Sequence, residues 1–516
     1  MSVKLILSTA ITGGMTLLSR VFGLVRDNVL ARVIGAGTGV EADAFYVAFR
    51  IPNFFRRIFG EGAFSQAFVP VLSEYREKKP EDEVRGFLDS IAGFLLLSLI
   101  VVVGVGAVAA PWIIRLLAPG FLDQPDKFEL ASDALRIMFP YLLFISLVAM
   151  AGGIFNTWGR FGVPAFTPVL LNVCMIVAAL WLSPHMDNPV LALSWGVFVA
   201  GVVQLAFQLP FLIRLKRLPV PRFKKPDPGV KRVLKLMAPA MVGVSVAQIN
   251  MMVNTILASF LATGSVAWLY YSDRIMEFPL GIFGIALGTV ILPSLSRQHA
   301  NASEHEFSQL LDWGMRLVLL IVAPATVGLI LLAEPIVSTL FQYGAFNAHD
   351  VKMSAAALVA YCLGLPALLA VKILAPGFYA RQNTTTPVKI AAIAMLVNVT
   401  FALLLFKPLA HVGLAVALSI SAFVNAGLLF YYLSRYGHYR PDAGWLAFTA
   451  KVLLATLVMA GVLLWGASDS SIWLNGNAWQ RVSRLALWIS VAAAAYVAVI
   501  LATGIRPKQL LYKHEI

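Results

Sequence analysis

A chain of 516 residues that is 59% hydrophobic and only 13% charged is not an ordinary soluble domain, where about a quarter of the residues carry charge. A mean hydropathy of +0.81 points instead to an integral membrane protein with little soluble mass. The net charge of +14 is concentrated in short connections between apolar runs, the usual mark of cytoplasmic loops, and gives no basis for a nucleic-acid partner.

Runs of about twenty apolar residues predict an all-α polytopic protein of about fourteen transmembrane helices. These fall near 5–34, 42–73, 87–117, 130–158, 165–183, 189–214, 231–261, 266–296, 308–341, 351–380, 388–406, 412–433, 446–467 and 480–503. The opening MSVKLILSTAITGGM has an apolar run but no cleavage site before SRVFGLVRD, so no cleavable signal peptide is expected. Connections after even-numbered spans are basic. They hold Arg76, Lys78, Lys79 and Arg85, then Arg160, then a cluster from Arg214 to Lys235, later Arg297, Arg381, Arg435 and Arg440, and Arg506, Lys508 and Lys513 in the tail. Connections after odd-numbered spans, such as GAGTGVEAD and PGFLDQPDK, are poor in Lys and Arg. Both termini are therefore expected in the cytoplasm. Cys174 and Cys362 lie in apolar segments, imply no disulfide framework and are expected to pack as small hydrophobes.

The first span carries Arg20, Arg26 and Asp27; the second carries Asp43, Arg50, Arg56, Arg57 and Glu61. Each such charge near a bilayer centre costs roughly 2.5–3.5 kcal/mol on insertion scales. That cost is bearable where the charge faces a watery, protein-walled space. On a continuous helix Asp43, Arg50, Arg57 and Glu61 would share one stripe. The eighth span adds Asp273, Arg274 and Glu277, with Arg274 in reach of Glu277 at i,i+3. Arg20, Arg26, Arg50, Arg56, Arg57 and Arg274 are the candidate substrate-binding residues. Asp43, Glu61, Asp273 and Glu277 are candidate supporting or gating carboxylates. The excess of guanidinium over carboxylate suits a multiply anionic guest, because Arg grips phosphate bidentately. The competing reading is that these charges only pair with one another and fix helix packing. Arg136 and Arg316 are expected to snorkel at span ends, and Lys372 lies deeper.

The chain also repeats itself. Pro70 in FVPVLS and Pro293 in ILPSLS stand 223 residues apart, as do Pro164 and Pro387, and Phe155 and Phe378. Two homologous six-helix halves follow, parallel because six is even. The expected domains are an N-terminal lobe over 1–218, a second lobe over 219–440, and two further helices with a tail over 441–516. Such lobes suit a transporter that rocks about a central site. There is no HExxH, CxxC, Walker-type or G-x-S-x-G sequence, so no catalytic centre, metal site or ATP site is expected. Energy would then come from the membrane potential, a monovalent cation gradient, or substrate and product flow.

The segments SRVFGLVRD, ADAFYVAFRIPNFFRRIFGEGAFSQAFVPVLSEY, YYSDRIMEFPLGIFGIALGTVILPSLS and APGFYARQNTTTPVKIA closely resemble the MurJ/MviN family from about Ser19 to the C-terminus. Those proteins are lipid II flippases of the multidrug/oligosaccharidyl-lipid/polysaccharide exporter superfamily. The resemblance implies two six-helix lobes plus a C-terminal pair in the bacterial inner membrane. It also implies transfer of the undecaprenyl-pyrophosphate-linked peptidoglycan precursor to the periplasmic leaflet. By motif, the family's functional charges fall on Arg20, Arg26, Asp43, Arg56, Arg57, Glu61, Asp273, Arg274 and Glu277, with a positive charge alone required at Arg50. The last two helices, from about Trp445, would border a groove for the lipid tail. Lipid II and membrane lipids are the implied partners, with cell-wall synthesis machinery as a further one. The family's sodium site does not map clearly here. The rival functions are a flippase for another polyprenyl-linked glycan, a cation-coupled multidrug exporter, and a membrane enzyme acting on polyprenyl pyrophosphates.

Overall fold

The structure is a computed structural model that describes residues 3–57, 63–223, 227–300, 303–467 and 469–505. The described residues are helical, with no strand among them. Glu61, Lys224, Lys225 and the tail cations Arg506, Lys508 and Lys513 lie outside them.

Two compact units divide the chain. The first runs to Val266 and takes in Gly344–Phe346. It contains α1 (Val3–Ile34), α2 (Glu41–Arg56), α3 (Ala63–Lys78), α4 (Glu81–Val108), α5 (Ala110–Leu117), α6 (Pro125–Met138), α7 (Tyr141–Thr157), α8 (Gly162–Val177), α9 (Pro189–Arg214) and α10 (Pro228–Ser259). The second begins at Ala267, just inside α11 (Ser265–Ala300). It continues through α12 (Glu304–Leu331), α13 (Ala333–Phe341), α14 (Ala348–Leu363), α15 (Leu365–Tyr379), α16 (Thr385–Leu405), α17 (Ala410–Arg435), α18 (Trp445–Ala467), α19 (Ser470–Asn475) and α20 (Ala478–Ala502). The sequence repeat compares segments by likeness, whereas these units reflect packing. The helix that opens the second half of the repeat, α10, packs on α3 and belongs to the first unit.

Ten helical stretches among the described residues are long and apolar enough to cross a membrane. They coincide with ten of the fourteen expected spans. The other four expected spans are the first, second, seventh and eighth, and three of these carry the charge constellation. Helices occupy them too: α1, α10 and α11 contain 32, 32 and 36 residues. The second expected span is described as two 16-residue helices, α2 and α3, each with an internal proline, Pro52 and Pro70. The shared stripe therefore applies within the described residues only from Asp43 to Arg57.

Local chemistry sets several helix starts. Asn188 accepts from the Val190 amide at 2.9 Å, with Pro189 supplying a preset φ at the first helical position of α9. Asn347 and Asp350 form a reciprocal capping box at α14, and Asn477 and Gln480 another at α20. The basic connection before α10 is strapped onto α4. The Val220 amide donates to Asp89 Oδ1 at 2.8 Å, Arg222 pairs with Asp89 Oδ2 at 3.2 Å, and the Asp227 amide donates to Ser90 Oγ at 2.9 Å.

In the second unit, Leu320 of α12 and Leu332, just beyond its end, bury against Val452, Met459 and Leu463 of α18, Trp473 of α19 and Tyr496 of α20. Tyr496 donates to the Leu320 carbonyl at 2.6 Å. Gly466 of α18 lies where an added Cβ would collide with the Trp488 ring, so the glycine makes room for that ring against α18. The chain leading into α18 is held by buried Asp312. Its carboxylate accepts from Trp445 Nε1 at 2.6 Å, Tyr439 Oη at 3.1 Å, the Asp442 amide at 3.2 Å and Arg316 Nε at 2.7 Å. Arg316 also lies over the Trp445 ring, so it is an anchor between elements rather than a snorkelling end residue. Arg136 is exposed and pairs with Asp133 at 2.8 Å.

Asp312→Ala removes the carboxylate from four donors and leaves Arg316 without its ion-pair partner. It is expected to destabilise the protein by about 3–5 kcal/mol. The check is a lowered thermal midpoint of the purified protein in detergent, with Asp133→Ala, at the exposed pair, close to wild type.

Candidate functional site

Each charged side chain sits on a helix whose partners decide whether its charge is already spent inside the protein. On α1, Arg26 and Asp27 are both buried. Arg26 donates to Asp27 Oδ1 through Nε at 3.0 Å and Nη2 at 2.6 Å, and through Nη1 to Asn172 Oδ1 at 3.1 Å. Asn172, on α8, donates in turn to the Ser19 carbonyl at 3.1 Å. This small network pins α1 on α8, and it identifies Arg26 as the cation that Asp27 neutralises. Arg20, two turns earlier, is half-buried, and its side chain has no hydrogen bond or ion pair among the described residues.

On α2, Asp43 is buried rather than open to a watery space. Its Oδ2 accepts from Lys127 Nζ at 2.8 Å and from the Gly264 amide at 2.8 Å, within the first unit. Lys127 lies in the first turn of α6, 4.5 Å from the centre of the Phe121 ring. The sequence places this lysine in the connection PGFLDQPDK before the fourth span. Here it is a fully buried ammonium whose charge Asp43 answers.

Arg50 projects into a small pocket lined by Leu117 of α5 and by Gln248, Met251 and Thr255 of α10. Its Nη1 donates to the Thr255 hydroxyl. Arg56 Nε donates to Asn53 Oδ1 at 3.0 Å, one turn back on its own helix. Arg57, at the end of α2, is half-buried, and its side chain, like that of Arg20, has no partner among the described residues. Glu61 lies outside them. The first unit therefore combines guanidinium groups already engaged by side chains (Arg26, Arg50, Arg56) with two that are not (Arg20, Arg57).

The second unit carries Asp273, Arg274 and Glu277 on α11, all half-buried. Arg274 Nη1 reaches Glu277 Oε2 at 3.3 Å, Nε meets the Tyr270 hydroxyl at 3.3 Å, and the guanidinium lies 5.3 Å from the Tyr270 ring centre. Lys372 on α15 is exposed and rests its stem near Gly284 of α11. No group of three or more His, Cys, Asp or Glu suited to a metal ion occurs among the described residues. Sequence reasoning missed Lys127, Asn172, Gln248 and Thr255, and nothing in their local sequence marks them.

Long apolar helices that carry buried and half-buried arginines define a polytopic membrane protein. The solved structure titled "Inward-facing conformation of a multidrug resistance MATE family transporter of the MOP superfamily" has the same fold. Its TM-score is 0.68 at 15% identity, covering 83% of this chain and 98% of that one. A solved structure titled "Lipid II flippase MurJ, inward closed conformation" matches at TM-score 0.79 and 27% identity, over 95% of this chain and all of that one.

The family model described as "Lipid II flippase MurJ" matches residues 30–482, and the chain belongs to the MurJ family. A Vibrio cholerae protein named "Probable lipid II flippase MurJ" is 46% identical, covering 99% of this chain and 98% of its own. A Burkholderia cenocepacia protein named "Lipid II flippase MurJ" is 44% identical over 96% of both chains. With ten apolar helices among the described residues, this is a multi-pass protein of the bacterial inner membrane.

Lys127→Met leaves Asp43 buried without its counter-charge and is expected to destabilise by about 3–5 kcal/mol. The double variant Asp43→Asn, Lys127→Met should regain most of that loss, because no lone charge stays buried. Thermal melts of the two single variants and the double variant in one detergent give the coupling directly.

Proposed function

We propose that this chain carries lipid II from the cytoplasmic to the periplasmic leaflet by alternating access, with arginines of α1, α2 and α11 receiving the anionic headgroup. Family membership supports the substrate. The observation that carries the site is the pair Arg20 and Arg57, two half-buried guanidinium groups with no partner among the described residues. A half-buried cation in a membrane protein is costly until an anion meets it. The diphosphate and peptide carboxylates of lipid II supply such anions, and guanidinium forks bind phosphate in two-pronged fashion.

In this reading the other charges have distinct duties. Arg26, locked by Asp27 and Asn172, fixes α1 on α8 and so sets where Arg20 is held. Asp43 and Lys127 hold α2 against α6. Arg50 is held at the Thr255 hydroxyl of α10, where it adds positive charge for the guest. Arg56 is oriented by Asn53. Arg274 exchanges Glu277 and Tyr270 for the guest, while Asp273 and Glu61 steady or gate the arginines. Basic connections after alternate spans support both termini in the cytoplasm. The polyprenyl chain stays in lipid along the C-terminal helices.

The work is transport without covalent chemistry, a reading supported by the lack of any catalytic sequence motif. The driving force in this proposal is the membrane potential or a monovalent cation gradient. Contacts with cell-wall synthesis machinery fit a protein that delivers its precursor. A cation-coupled drug exporter is disfavoured, because its cargo calls for carboxylates rather than guanidinium groups.

Arg20→Gln and Arg57→Gln should each weaken lipid II binding by roughly 10- to 150-fold, the worth of a charged hydrogen bond of about 1.5–3 kcal/mol. Each should fail to support growth as the sole copy while reaching the membrane at normal level and melting like wild type. Normal growth of both variants would remove these two residues from the site.

A further inference from the structure

The first unit contains a cleft of about 180 Å³ that the transport reading does not use. It lies between α3, α4 and α10. Along α4, Ile91, Phe94, Leu95 and Ser98 recur at helical spacing and line one wall, and Val233 and Leu234 of α10 face them. Ser98 is the one polar side chain in the lining. Phe94 and Leu234 are 38% and 36% exposed, so the cleft has an open lip on the surface of the unit.

A void of this size inside close-packed protein forfeits dispersion contacts along its whole lining. Water does not repair the loss, because an apolar cavity offers it no hydrogen-bond partners. In a membrane the remaining filler is hydrocarbon. A headgroup preference comes from the first turns of α10. Lys231 and Lys235, four residues apart, are both exposed on the flank of the lip residue Leu234. Neither has an ion pair among the described residues, whereas Arg232 between them is taken by Glu74 at 2.8 Å. Lysines near the end of an apolar helix extend their ammonium groups to the level of lipid phosphates.

We propose that this cleft is a binding site for an anionic phospholipid, with one acyl chain between α4 and α10 and the phosphate on Lys231 and Lys235. The cleft's lining contains no arginine, and the proposal does not depend on the flippase reading.

The test is native mass spectrometry of the full-length protein, delipidated in detergent and titrated with phosphatidylglycerol or phosphatidylcholine of identical chains. Wild type should retain one phosphatidylglycerol more tightly than phosphatidylcholine. K231Q/K235Q should weaken that lipid by about tenfold or more, from about a kcal/mol per lysine at the surface. Ser98→Phe, which fills the cleft, should abolish retention, while Leu97→Phe, on the exposed face of the same helix, should leave it unchanged. Circular dichroism and melting of each variant show that it is folded. Equal retention of the two lipids by wild type would overturn the proposal. So would full retention by folded Ser98→Phe, which would mean that the headgroup alone is held at the surface.

Discussion

The cost of an ionised side chain away from water organises this molecule. A chain this apolar can carry arginines and aspartates in its helices only if each charge is answered by another group or kept for a guest. Arg26 and Lys127 belong to the first kind, closed by Asp27 and Asp43. Arg20 and Arg57, half-buried with no side-chain partner among the described residues, are the ones proposed for the second. The division follows from hydrogen bonds and burial, and it separates residues that hold the helices in place from residues with charge to spare.

The same economy explains why some polar residues far apart in sequence matter together. Asn172 of α8 completes Arg26 of α1, and the Gly264 amide completes Asp43 of α2. Asp312 of α12 gathers the chain that enters α18. In each case a buried polar group has collected enough partners to be stable where it is. These nodes fix where the long helices lie and so where the arginines are presented.

Much of this was legible in the sequence. Ten expected spans coincide with apolar helices because a run of twenty apolar residues has few other fates. The family was legible from the charged motifs of the first, second and eighth spans, and the i,i+3 approach of Arg274 to Glu277 follows from helix geometry. Pairing across the fold was not legible. Lys127 looked like a loop lysine because its neighbours Pro125 and Asp126 read as a connection, and its burial depends on an aspartate 84 residues earlier. Asn172 and Thr255 sit in apolar stretches where a polar residue has no periodic signature. The expectation that Asp43 faces an open polar space failed for the same reason, since its partner lies on another helix.

Movement of lipid II across the membrane by this chain is tested most simply in its host. The protein is depleted, and the lipid II exposed at the periplasmic face is assayed against the total. Periplasmic lipid II should fall, with accumulation on the cytoplasmic side. Unchanged lipid II orientation after depletion, in a host with no second flippase, would contradict it and shift the weight to another polyprenyl-linked glycan.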